Sequence, residues 1–121
     1  MDKKCLTSVR AIIKKNNKYL LVQRKGLTKT NPHFWEFPGG KTDCKEPKGA
    51  IKRELNEELG VKLSKLKFIK EKPDGRFRVR YYRGSIAGKM KLQESEVDGV
   101  GWFTSNQAKK LKLVNHTRRL I

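Results

Sequence analysis

The stretch RELNEELG, residues 53–60, decides how the chain is read. It places Glu54, Glu57 and Glu58 at spacings of three and four, which on a helix is one face. Ile51, Leu55 and Leu59 recur every four residues beside them and make an apolar stripe that a core would cover. Gly60 follows as a C-terminal stop. The spacing therefore predicts a helix over residues 50–59 with one buried face and one acidic face. The acids are unusual in their setting, because the 121-residue chain has 30 Lys and Arg against 12 Asp and Glu, a net charge of +18. Clustered carboxylates repel one another, and an ordinary solvated helix face would gain from lysines between them. The gap holds Leu55 and Asn56 instead. A hard divalent cation, which takes oxygen ligands, is the physical remedy.

The segment before the helix supports that reading. WEFPGGK, residues 35–41, sets two glycines where backbone can approach a ligand closely. With its two Pro and three Gly, the whole of residues 35–49 reads as irregular. A glycine-turn carbonyl and several carboxylates form an oxygen-rich site, and surrounding bases would hold a polyphosphate.

Outward from there, LTSVRAIIKK and KYLLVQRK read as strands joined by a turn at NNK, and GLTKTNPHF as a loop. VKLSKLKFIKE reads as a strand and KPDG as a turn. RFRVRYYRG alternates, with Arg76, Arg78 and Arg80 on one face and Phe77, Val79 and Tyr81 on the other. SIAGKMKL reads as a further strand after a glycine break, and VGWF as a short apolar piece. Thr104 and Gln107 form a capping box for a helix, and Asn115 is placed to cap a last turn. Irregular alternation of strands and helices implies a mixed sheet with helices packed on it, an α/β fold. The length predicts one domain spanning 1–121. Two cysteines, Cys5 and Cys44, are too few for a disulfide framework. No signal peptide and no run near the roughly twenty apolar residues of a membrane span is visible. The expectation is a cytoplasmic protein with no membrane partner; its oligomeric state is left open. The positive charge points to anionic partners, nucleotides or RNA. His33 and His116 read as surface or capping residues.

With these residues in place, the chain resembles the Nudix hydrolase family, whose box reads G-x5-E-x7-R-E-U-x-E-E-x-G-U with U aliphatic. The second half runs complete from Arg53 to Val61, and the first half is GGKTDCKE. WEFPGGK resembles the MutT branch, which cleanses nucleoside triphosphate pools. The resemblance implies an α/β/α sandwich with a mixed sheet. It also implies a Mg²⁺-dependent pyrophosphohydrolase, with Mn²⁺ as a substitute metal, that releases a nucleoside monophosphate and pyrophosphate. The preferred substrate would be a dGTP-like purine triphosphate, oxidised or not.

Carried over residue by residue, Gly39, Glu54, Glu57, Glu58 and Glu96 would hold metal, with Glu94 and Asp98 competing for the place of Glu96. One of Glu54, Glu57 and Glu96 would accept the water proton, and Arg53 would orient the helix carboxylates. Arg24 and Lys41 would engage phosphates, Phe37 would touch the base, and Asn115 would read it; apart from the resemblance, the basic strand face of Arg76, Arg78 and Arg80 is placed to clamp phosphates or stack on a base. Gly40, Glu46 and Gly60 would be structural. The box is one residue short, so the first glutamate is Glu46 counted from Gly40 but Lys45 counted back from Arg53. Two rivals accompany this reading. One is the same chemistry on ADP-ribose, a dinucleoside polyphosphate or capped RNA. The other is a non-catalytic nucleic-acid-binding module.

Overall fold

The computed structural model describes residues 7–26, 31–42 and 46–121. Cys5, Cys44, Lys45 and part of the loop read over residues 26–34 lie outside the described residues.

Two four-stranded sheets form the centre. In the first, β1 (Thr7–Ile12) pairs antiparallel with β5 (Gly39–Thr42) and parallel with β7 (Phe77–Ala87). The edge beyond β7 is β6 (Lys62–Asp74), giving the order β5-β1-β7-β6. One parallel pair among antiparallel ones makes this sheet mixed, as the sequence implied. In the second, β3 (Lys18–Arg24) pairs antiparallel with β2 (Lys14–Lys15), β4 (Trp35–Glu36) and β8 (Val97–Phe103). Asn16 and Asn17 take positive φ (51° and 64°) between β2 and β3, a conformation asparagine tolerates better than most side chains.

Helices cover both faces. Helix α1 (Pro47–Leu59) buries Ile51, Leu55 and Leu59 against Val9, Ala11, Leu20, Val22 and Tyr82. On the other face α2 (Ser105–Ala108) and α3 (Asn115–Arg118) lie over a second core of Leu21, Phe37, Val79, Tyr81 and Leu113. Leu20 and Val22 thus face one core while Leu21 faces the other. This is why the strand reads as a continuous apolar run rather than an alternation.

Several local expectations change. Residues 35–49 are not irregular throughout: Trp35–Glu36 and Gly39–Thr42 are strands, and α1 begins at Pro47 rather than at residue 50. Pairing with β3 and β1 overrides the low strand preference of glycine, and proline suits the first helical position. KPDG is not the turn. Strand β6 runs on to Asp74, which an edge strand permits at Pro73, and the chain turns at Gly75 (φ 61°). Gly84 does not break β7. A Cβ there would meet Leu63 Cδ1 at 2.8 Å, so glycine is what lets Leu63 pack across the strand. Residues 88–92 are not a strand. The Thr104/Gln107 capping box forms with both its hydrogen bonds. Asn115, however, is the first residue of α3, and Val114 is its cap.

Candidate active site

A cleft of about 220 Å³ opens where the end of β1, the glycine turn, α1 and the start of β8 meet. Glu36, Glu54, Glu58 and Glu96 supply its acids, and Arg10, Arg24, Lys25 and Lys41 its bases. Local structure explains each position.

Glu58 sits in the last turn of α1 and is buried, and the Gly39 N–H donates to its Oε1 at 3.0 Å. Gly39 has φ 152°, and a Cβ there would meet the Val9 carbonyl oxygen at 1.9 Å. Gly40 leaves room for Glu54, whose carboxylate lies 2.7 Å from where a Cβ would stand. Gly39 therefore lets β5 lie close against β1, and Gly40 leaves room for α1 to bring the Glu54 carboxylate to the turn. Two carbonyls at the end of α1 are taken up by the loop between β7 and β8. The Gln93 N–H donates to Glu58 O and the Lys91 N–H to Leu59 O. Binding this segment to the helix end is what carries Glu96 to the cleft. Of its two competitors, Asp98 is engaged by Lys25 at 3.1 Å and by the Gly26 N–H, and Glu94 does not line the cleft.

Burial is the main force on the acids. It pushes the Glu58 carboxyl up to about 8, Arg10 opposing and Glu36 adding to the rise. Burial also raises Glu54, with the Glu57 charge acting in the same direction and Arg53 against it. Both rises come mainly from the loss of water around the carboxylates, with neighbouring carboxylates adding and Arg10 opposing. Among the described residues no group of three His, Cys, Asp or Glu converges to hold a metal ion. Glu57, half exposed, turns instead to Arg53 at 3.7 Å and does not line the cleft. The donor set is nevertheless all hard oxygen, which fits a divalent cation in kind.

Other expected residues fall in different places. Arg24 lines the cleft, with its NH1 3.3 Å from both oxygens of Glu36. Lys41 lines it too, and its Nζ lies 4.7 Å over the Phe77 ring. Arg76 is exposed in the β6–β7 turn, away from the cleft. Phe37 is fully buried, edge-on to Tyr19 and Tyr81, so its ring belongs to the core and presents no surface to a base. Asn115 is exposed, donates to Asp74 Oδ1 at 3.3 Å, and is not part of the cleft. Glu46 is exposed at the N-terminal cap of α1 with φ 46°, beside Gly49. Arg53 lies near Glu54 (3.9 Å) and Glu57 rather than Glu46.

The sequence reading missed a buried network that begins in the wall of the cleft. Glu36 accepts from Arg24 and lies 3.3 Å from both Arg10 NH1 and His116 Nε2. His116 is buried, not a surface residue. Its proton is fixed by what surrounds it. The Glu36 carboxylate can only accept, so in the neutral imidazole Nδ1 is left to accept from the Thr117 hydroxyl, which in turn accepts from the Phe37 N–H. Nε2 then carries the hydrogen and gives it to Glu36. That neutral tautomer satisfies both nitrogens. It agrees with a His116 pKa lowered first by burial and then by Arg10, against the pull of Glu36. Two signals were present: Arg10 is a lone charge inside an apolar strand, and Glu36 lies within WEFPGGK.

Burial alone would raise Glu36, but Arg10, the His116 hydrogen bond and Arg24 bring its carboxyl down to about 2 from 4.5. A depressed carboxyl stabilises the fold above its unfolded pKa, and that stability is lost as pH falls through the folded value. Urea unfolding should therefore show on the order of a few kcal/mol lost between pH 4.5 and 2. Glu36→Gln should flatten that window and cost roughly 3–5 kcal/mol at pH 7, because it leaves Arg10 without its buried partner. Equal pH dependence in the parent and the variant would contradict this role.

Comparison with known proteins agrees with this geometry. The model of the NUDIX domain matches residues 6–121. The chain belongs to the Nudix family. Over 62 residues it is 39% identical to an 8-oxo-dGTP diphosphatase of Proteus vulgaris, covering 50% of this chain and 55% of that protein. Over 59 residues it is 42% identical to a CTP pyrophosphohydrolase of Escherichia coli K12, covering 48% and 43%. The chain therefore spans about half the length of the curated relatives it matches. A crystal structure of a MutT Nudix hydrolase from Burkholderia pseudomallei superposes with a TM-score of 0.81 at 25% identity, over 97% of this chain and 95% of that one. The mixed sheet between helices is thus the Nudix fold of the MutT type.

Proposed function

We propose that this Nudix chain hydrolyses a nucleoside triphosphate to the monophosphate and pyrophosphate, with Mg²⁺, or Mn²⁺ in its place, as the divalent cofactor. The observation that carries the reading is the cleft itself, where Glu54, Glu58 and Glu96 face Arg24, Lys25 and Lys41 across the glycine turn. Glu54, Glu58 and Glu96, with the Gly39 carbonyl, would hold the metal, and Glu57 would join them on leaving Arg53. When bound, the metal neutralises phosphate charge and lowers the pKa of its water.

The chain's own residues supply the rest. Lys41 and Lys25 attract the polyphosphate, and Arg24, kept in orientation by Glu36, presents its guanidinium to it. Water attacks one of the two phosphorus atoms that flank the α–β bridging oxygen, the bond from that atom to the bridging oxygen breaks, and the water proton passes to a Glu54 carboxylate oxygen. Glu54 suits that role because it lines the cleft and burial raises its carboxyl above the ordinary carboxylate value. The names of the relatives support a triphosphate substrate, with a guanine nucleotide, oxidised or not, as first choice. The single domain has no helix among its described residues long and apolar enough to cross a membrane, and we place it in the cytoplasm.

Competition kinetics across the common triphosphates, 8-oxo-dGTP, ADP-ribose and capped RNA tests the substrate. A triphosphate should be hydrolysed fastest; faster cleavage of ADP-ribose or capped RNA would overturn the choice and leave the cleft assignment standing. Asn115 reaches a base only by giving up Asp74. If it does so, Asn115→Ala lowers the preference for guanine by roughly tenfold, about what one buried hydrogen bond is worth. An unchanged preference removes Asn115 from the site.

A further inference from the structure

The fold leaves one donor in the cleft wall unused. Arg10 stands on β1 opposite Gly39 of β5, and it lines the cleft although its side chain is only 6% exposed. Its guanidinium is fixed on two sides. Nε donates to Ser8 Oγ at 3.0 Å, while NH1 donates to the Phe37 carbonyl at 3.0 Å and lies 3.3 Å from Glu36 Oε1. NH2 has no hydrogen-bond partner among the described residues. Every fully enclosed side-chain nitrogen and oxygen among those residues does have one. NH2 is therefore the edge of the guanidinium that reaches open space, and the open space that Arg10 borders is the cleft.

The ion pairs point the same way. Among the described residues Glu36 is the only carboxylate within 4.0 Å of Arg10, and it also takes up Arg24 NH1 and the His116 N–H. Glu54 and Glu58 share the cleft with Arg10 but make no ion pair with it. On the reading above they would hold the metal. A buried arginine that serves only the fold spends its donors inside it, because a charge taken out of water is costly unless it is well paired. Arg10 instead presents one charged N–H edge, held still by three contacts, to a cleft built to receive a polyanion.

We propose that Arg10 is a further substrate ligand of the hydrolase. Its NH2 donates to a non-bridging phosphate oxygen of the triphosphate, and the contacts to Ser8, Phe37 and Glu36 set its orientation before the substrate arrives. The proposal rests on the triphosphate reading. Chemistry favours phosphate over base: a guanidinium matches anionic oxygens in charge and geometry, and a charge-assisted hydrogen bond is roughly twice as strong as a neutral one. Little side-chain freedom remains to be lost on binding, because the fold has already ordered the group.

The test is equilibrium binding to the full chain, by isothermal titration calorimetry with Mg²⁺, of two ligands. One is α,β-methylene-dGTP, which cannot be cleaved at the bridging position, and the other is inorganic tripolyphosphate. Arg10→Met should weaken both at least about tenfold, the lower end for losing a hydrogen bond to a charged group. Arg10→Lys keeps the charge, but one nitrogen cannot serve Ser8, Phe37, Glu36 and a phosphate together, so it should stay at least about threefold weaker than the parent. Mn²⁺ binding without nucleotide should be no weaker in either variant, since removing a cation does not harm a cation site; weaker Mn²⁺ binding would mean that Arg10 acts through the metal site and would overturn the contact. Circular dichroism checks folding, and should Arg10→Met not fold, Arg10→Lys decides. Parental affinity for both ligands in folded Arg10→Met overturns the proposal. Full recovery by lysine overturns it too, because Arg10 would then be a charge in the wall rather than a contact. So does a loss confined to the nucleotide, which would place Arg10 on the base or sugar. If the parent binds neither ligand, the triphosphate reading fails and the proposal with it, whereas parental binding that the variants keep overturns the proposal alone.

Discussion

Glu54→Gln is expected to lower turnover at least about hundredfold while leaving the fold intact, the scale expected for removing a general base or a metal ligand. The change keeps the shape of the side chain against Gly40 and removes its charge and basicity. Glu54 is only partly buried, so stability should move little. Glu57→Gln should also slow every substrate, since Glu57 is the remaining carboxylate of the acidic face, but its present partner is Arg53 and its path to the cleft is longer. Glu94→Gln is the matched control, because that acid is exposed and does not line the cleft. Steady-state kinetics at saturating Mg²⁺ measures all three. Ordinary turnover in Glu54→Gln would remove that residue from the chemistry.

The two adjacent glycines should separate stability from activity. In Gly39→Ala the new Cβ meets the Val9 carbonyl oxygen at 1.9 Å and its carbon at 2.9 Å, at a φ of 152° that other residues rarely adopt. Those atoms are backbone within a strand pair and cannot move aside, so destabilisation of roughly 4 kcal/mol or more is expected. In Gly40→Ala the obstacle is the end of the Glu54 side chain, at 2.7 Å, which can rotate away. The fold should then lose no more than about 1 kcal/mol. Turnover should fall at least tenfold, because displacing a catalytic group by about 1 Å is enough for such a loss. Denaturant unfolding and initial rates on both variants check this. Similar melting of the two, or full activity in Gly40→Ala, would contradict the division of roles.

How much of this was legible in advance follows from where each signal resides. The α1 stripe of Ile51, Leu55 and Leu59 and the acids beside it are local, periodic features, and periodicity survives folding. The Thr104/Gln107 cap is also local. Strands β4 and β5 were hidden because Trp35–Glu36 and Gly39–Thr42 are extended only through partners far away in the chain. Likewise, β7 continues through Gly84 because Leu63 of the neighbouring strand fills the space a side chain would need. The Arg10–Glu36–His116–Thr117 network is wholly non-local, as its members come from β1, β4 and α3. Nothing in the spacing of residues 10, 36 and 116 reveals it. Phe37 shows the reverse error. A family position suggested contact with a base, but this chain folds the ring into the second core.

The most direct test of the central claim is identification of the products formed from dGTP by the full chain, by ion chromatography, with Mg²⁺ and again after chelation by EDTA. The account predicts dGMP and pyrophosphate in equal amounts with Mg²⁺, and neither after chelation. Release of dGDP and orthophosphate, or turnover that persists in EDTA, would contradict it.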